Sequence, residues 1–175
     1  MVITVKPCFH WIGYHIMTSL LQEGMEVVGI DRLDQKRKDH LYMYVGRNSN
    51  FQYFFNEKDK ENHIHQEEEE IEIRCSTERL IGRNKKQDTT HDWKLPIVYG
   101  EWMDIQRMDI ESEEELLDWV LQTEAVYIGD VTTPFLDLLL DREDSADVKR
   151  EDQQAEVASH VREVWQTHLR MYPFL

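Results

Sequence analysis

Basic residues are scarce in this chain: 20 lysines and arginines stand against 35 aspartates and glutamates, for a formal charge of −15. That balance opposes both the phosphates of a nucleic acid and an anionic membrane surface, so neither is expected as a partner. The acid gathers at residues 67–70, 111–115 and 141–152, as it does on solvated faces and in loops. Long apolar runs are lacking too, and none nears the roughly 18 residues that span a bilayer. The start, MVITVKPCFH, carries neither the basic stretch nor the long apolar stretch of a secretory signal. Only two cysteines occur, Cys8 and Cys75. A cytoplasmic protein with reduced thiols is the expectation, and a Cys8–Cys75 disulfide stays open.

What is present suits a packed globule. Hydrophobic residues make up 41% of the 175 and aromatics 10%, enough for one domain with its own core. Short β-branched runs at residues 3–5 and 27–30 read as buried parallel strands. Between them Ile12, Ile16, Leu20 and Leu21 recur at helical spacing, and Gly24 falls where a helix stops. FQYFF, residues 51–55, reads as a third strand. Residues 58–70 are almost wholly polar and read as a mobile loop. Ile71, Ile73 and Cys75 alternate with Glu72 and Arg74 at the period of a strand. Residues 83–91 read as a polar connection, and 95–99 and 126–128 as further extended segments.

Toward the end, Ser112 and Glu115 have the spacing of a capping box, with Leu116, Leu117 and Val120 on the apolar side of the helix that follows. Pro134 is expected to open a helix through Leu140. Residues 141–152 form an acidic linker before a helix over 153–171, with Val157, Val161, Val164, Trp165 and Leu169 on one face. Strands alternating with helices predict an α/β fold with a mainly parallel sheet. There is no internal repeat.

Residues 2–31, VITVKPCFHWIGYHIMTSLLQEGMEVVGID, have the rhythm of a β-α-β unit that holds a dinucleotide. With four further stretches, the chain resembles the NAD-dependent epimerase/dehydratase group of extended short-chain dehydrogenases, which remodels nucleotide sugars. KPCFHWIG occupies the frame of that family's TGxxGxxG turn, and EGMEVVGID its second strand, whose terminal acid holds the adenosine ribose. NSNFQYFFNEKD looks like the third strand. CSTERLIG resembles SSxxxxYG and puts Thr77 at the hydroxyl that polarises the substrate. LPIVYGEW resembles PxxYGPW, which would set Tyr99 and Trp102 beside the substrate. AVYIGDVTTPFLDLLL resembles YVDDVAxAxxxxL. The resemblance implies a Rossmann-like α/β domain that takes NAD(P), and it spans most of residues 2–140.

The departures from that pattern fall on the working parts. Of the three glycines in the cofactor turn, the first allows the tight turn, the second lets the backbone approach the pyrophosphate, and the third lets helix and strand pack closely. Only the third remains, as Gly13. Pro7 fixes φ and removes an N–H, and His10 sets an imidazole where the diphosphate should approach. Asp31 reads either as the ribose acid or as a polar strand terminus. The family's dyad needs a Tyr with a Lys four residues on, and no tyrosine in the chain is so followed. Only 12 residues separate Gly82 from Leu95, too few for the helix that carries that dyad.

Other chemistry has less behind it. His63 and His65 beside the acidic run at 67–70 suit zinc or manganese by ligand type, but a solvated charge run explains them without a metal. Cys8 is expected to pack in the interior, with one or both of His10 and His15 exposed. Trp102, Met103 and Trp119 are expected in the core, and Trp165 and Phe174 as docking residues. The expectation is a shortened, degenerate relative of the epimerases and dehydratases, with Gly13 and Asp31 as vestiges of the cofactor site and no catalytic group assigned. It would act through a protein partner or a nucleotide or nucleotide-sugar ligand, with Thr77, Tyr99 and Trp102 as the substrate-side cleft. The alternatives are an active NAD(P)-dependent enzyme with altered chemistry and a purely structural subunit. A homodimer fits the apolar faces that a shortened sheet leaves.

Overall fold

A computed structural model describes residues 1–63, 69–142, 153–171 and 173. The described chain falls into two compact units, Met1–Lys94 and Leu95–Pro173. No helix among the described residues is long and apolar enough to cross a membrane.

The first unit is α/β and Rossmann-like. It opens with β1 (Val2–Lys6), α1 (Trp11–Gln22), β2 (Val27–Ile30), α2 (Lys36–Val45), β3 (Phe51–Phe54), α3 (Glu57–His63) and β4 (Glu70–Cys75). An antiparallel hairpin follows, β5 (Arg79–Asn84) and β6 (Thr89–Lys94). The six strands lie in the order β3-β2-β1-β4-β5-β6. The first four run parallel, and β5 and β6 complete the sheet antiparallel.

The central strands β1 and β2 are buried, as crossover helices make them, whereas the edge strand β3 buries only Phe54. Val5 pairs with Gly29, and Gly29 with Tyr53, so these three share one face of the sheet. On that face Phe9 packs its ring against Tyr14 of α1, Tyr42 of α2 and Tyr53, with centroids 5.8–6.4 Å apart. A Cβ on Gly29 would come within 2.8 Å of Cys8 Sγ and 2.7 Å of the Phe51 ring, so the glycine makes room for both. Val28, Ile30 and Phe54 form a cluster on the opposite face, where the Phe54 ring meets His63 of α3. Helix α1 stops at Gly24, which has φ +79° and provides the left-handed turn expected there.

Several expectations are corrected. Residues 58–63 are not loop but most of α3. Asn56 Oδ1 accepts the Asp59 N–H at 2.9 Å, as an N-cap does, and Glu57 and Asp59 complement the helix dipole in its first turn. Residues 64–68, with His65 of the metal candidate, lie outside the described residues. The polar connection over 83–91 is the end of β5, a tight turn and the start of β6. Helix α2, built on two buried positions, Leu41 and Val45, has no counterpart in the sequence reading.

The second unit pairs two short parallel strands, β7 (Val98–Tyr99) and β8 (Val126–Tyr127), with helices α4 (Glu113–Thr123), α5 (Ile128–Leu139) and α6 (Gln153–Met171). Ser112 caps α4 as expected, its hydroxyl accepting the Glu115 N–H at 3.1 Å. Glu115 reaches back to the N–H of Glu111 rather than of Ser112. The strand expected over 95–99 is only its last two residues. Pro134 does not open a helix; it sits inside α5, which Tyr127 starts. Helix α6 has the expected bounds, but Leu169 is 54% exposed, and the buried positions are Val161, Val164, Thr167, His168 and Met171. Most of the acidic linker, residues 143–152, and Phe174 lie outside the described residues.

Candidate functional site

In open α/β sheets, ligands bind beyond the carboxyl ends of the strands, where neighbouring crossovers leave for opposite faces. In the first unit that point lies between β1, which leads into α1, and β4, which follows α3. Residues 7–10 and Asp31 meet beside it.

Asp31 is committed within the chain. Its side chain is 5% exposed. Oδ2 accepts the Phe9 N–H at 2.8 Å. Oδ1 accepts the Arg32 N–H at 2.7 Å and the Lys38 ammonium at 2.9 Å. Lys38 also pairs with Asp34 at 3.0 Å. Burial alone would lower the Lys38 pKa, but the bonds to Asp31 and Asp34 hold it above its usual value. The Asp31 carbonyl accepts the Tyr53 hydroxyl at 2.9 Å. Asp31 thus stands just past the end of β2 as a buried acid bonded to the turn before α1 and to Lys38 of α2.

The turn ahead of α1 is equally engaged. Pro7 has no N–H to offer, Cys8 donates to the Ile30 carbonyl at 3.2 Å, and Phe9 donates to Asp31. Gly13 packs α1 onto this turn: a Cβ there would lie 2.1 Å from the Pro7 carbonyl oxygen. Cys8 is fully buried, as expected, and burial, then Asp31, push its thiol far above the ordinary range. Cys75 is also free, and burial pushes its thiol up to about 12. His10 and His15 are half-buried. The buried His10 Nδ1 atom has no hydrogen-bond partner among the described residues, and burial lowers the ring's pKa.

Thr77 is exposed in the tight turn joining β4 to β5. Ser76 organises that turn, its Oγ accepting the Arg79 N–H at 3.0 Å. Tyr99 and Trp102 belong to the second unit, so the three residues of the expected cleft come from two units. Tyr99 is buried in β7. Trp102 is half-buried with φ +72°, a left-handed conformation unusual for an aromatic residue.

Sequence reasoning missed two groups. Lys38 was within reach of it, because Asp34 and Lys38 stand at the i,i+4 spacing of a helical ion pair. The other is a buried ionic cluster on the face opposite α1. Glu70, 3% exposed, takes the Thr4 hydroxyl at 2.7 Å and the ammonium groups of Lys60 and Lys85. Lys6 joins Glu57 and Glu72 next to it. Glu70 belongs to the acidic run read as solvated. Among the described residues no trio of His, Cys, Asp or Glu is grouped to hold a metal ion.

No protein-family model, curated protein or solved structure shows a significant match to this chain.

Proposed function

We propose that this chain is a non-catalytic relative of the NAD-dependent epimerases and dehydratases, acting by binding a protein partner or a nucleotide-sugar ligand. The observation that carries the reading is the Asp31 carboxylate, both of whose oxygens are already bonded within the chain. Three donors fill three of the roughly four acceptor sites of this buried acid, so a pair of ribose hydroxyls would have to displace at least one of them. Leaving that donor unpaired costs more than a neutral hydrogen bond returns. The turn supports the same view, because residues 7–9 have no free N–H for a pyrophosphate. So does the hairpin over 79–94, which fills the stretch where the family's Tyr–Lys helix would lie. The reading carries with it a cytoplasmic setting with reduced thiols, and it includes a second copy of the chain among the partners.

Calorimetric titration with NAD, NADH and a set of UDP- and dTDP-sugars tests it. The expected result is no saturable heat from NAD or NADH. Saturable NAD binding overturns the reading. Heat from a sugar nucleotide alone selects the ligand form of the proposal. Silence from all, with a mass that rises with concentration in light scattering, selects the partner form.

A further inference from the structure

The second unit contains an arrangement that the first does not explain. The β7–β8 register sets Tyr99 directly beside Tyr127, with ring centroids 5.7 Å apart. The Tyr127 hydroxyl donates in a fork to both oxygens of Glu101, at 2.8 and 2.9 Å. His160 of α6 lies flat on the Tyr127 ring, with centroids 3.8 Å apart and planes 14° apart. Next to this stack Tyr99 is 1% exposed, and its buried hydroxyl has no hydrogen-bond partner among the described residues. Buried hydroxyls without a partner are uncommon, and each one asks what group completes it.

The charge around that hydroxyl answers in part. Burial first, then Asp130, Glu101 and Glu156, push Tyr99 up to about 12, so it stays neutral at physiological pH. Tyr127 is raised as well, by burial and then by Glu101 and Glu163. Among the described residues, the acidic side chains that raise these two hydroxyls are the carboxylates Asp130, Glu101, Glu156 and Glu163. A phosphate-bearing ligand would be repelled by them, whereas a cation would be drawn in. Aromatic faces add attraction for a cation. The donor set does not suit a bare metal ion, since no trio of His, Cys, Asp or Glu is grouped there among the described residues. An alkylammonium brings three N–H donors, which match the free lone pair of Tyr99 and the Glu101 carboxylate.

We propose that the Tyr99 hydroxyl, the Glu101 carboxylate and the stacked Tyr127 and His160 rings form a site for the protonated primary amine of an organic di- or polyamine. The site lies within the second unit and does not depend on the reading of the cofactor turn.

Spermidine is the probe, titrated calorimetrically into the full chain at fixed ionic strength, with tetramethylammonium as a cation that has no N–H to donate. The expected result is saturable spermidine binding, at least tenfold weaker in Tyr99→Phe and in Glu101→Gln, with tetramethylammonium weaker than spermidine on the unaltered chain. Tyr99→Phe removes no charge and keeps the ring, so a diffuse acidic surface would bind spermidine equally well with or without that hydroxyl. No saturable heat, or an affinity unchanged by Tyr99→Phe, overturns the proposal. Circular dichroism on both variants establishes that a loss comes from a folded protein.

Discussion

The Asp31 carboxylate accepts the Phe9 N–H at 2.8 Å, tying the end of β2 to the turn that follows β1. With Lys38 and the Arg32 N–H on the other oxygen, one side chain fastens three segments of the first unit. Asp31→Ala leaves a buried N–H and an ammonium without their acceptor and is expected to cost about 3 kcal/mol. Asp31→Asn keeps an acceptor oxygen and is expected to cost less. Urea denaturation of the two variants ranks them. The idea fails if the alanine variant is as stable as the parent.

Gly13 makes a second, steric connection to the same turn. A Cβ at this position meets the Pro7 carbonyl oxygen at 2.1 Å, and the obstacle is backbone, which cannot rotate away. Gly13→Ala is expected to cost about 3 kcal/mol or more, through displacement of α1 from the turn. Gly24→Ala meets no atom within 4 Å and carries only the strain of φ +79°, about 1 kcal/mol. The ratio of the two losses in thermal or urea unfolding checks the argument, and equal losses would count against it.

These two residues also show what the sequence made legible. Gly13 was readable because a packing glycine has a fixed place in a β-α-β turn, and β1, α1 and β2 each carry their own local periodicity. The role of Asp31 was not, because its partners are 22 residues upstream and seven residues downstream and no spacing rule joins them. The hairpin was hidden for a different reason. The inward positions of β5 are Leu80, Gly82 and Asn84, so its alternation is not one of apolar with polar. Pro134 misled because proline prefers a first turn, yet it stands mid-helix in α5. Glu70 is buried only because Thr4, Lys60 and Lys85 arrive from elsewhere in the fold.

The ionic face of the sheet gives a pH dependence. The hydrogen bond and charge of Lys6 hold the Glu57 carboxyl below its usual value of 4.5. Burial would raise Glu72, but Lys6, Lys85, Arg74 and Lys60 outweigh it and hold that carboxyl low as well. A folded pKa below the unfolded one contributes stability that is complete above about pH 4.5 and is lost as the pH falls through the folded value. Lys6→Met is therefore expected to destabilise most at neutral pH, with the gap to the parent closing in acid. Urea midpoints at about pH 7 and about pH 3 measure that gap. A gap that stays constant or widens in acid would rule out Lys6 as the source.

Tyr99 provides a stability test that needs no ligand. A buried hydroxyl that makes a hydrogen bond contributes about 1 kcal/mol, and its loss lowers stability. A buried hydroxyl without a partner has lost its water and gained nothing, so removing it relieves a penalty of about 1–3 kcal/mol. Among the described residues Tyr99 is of the second kind, with its neighbour Tyr127 bonded to both oxygens of Glu101. Tyr99→Phe keeps the ring against Tyr127 and is expected to melt at or above the parent temperature in amine-free buffer. Added spermidine should then raise the parent's melting temperature more than the variant's, because only the parent keeps the hydroxyl oxygen that the ammonium bonds. A variant that melts several degrees below the parent without amine would mean that the hydroxyl already has a partner, and the opening for an ammonium would be gone.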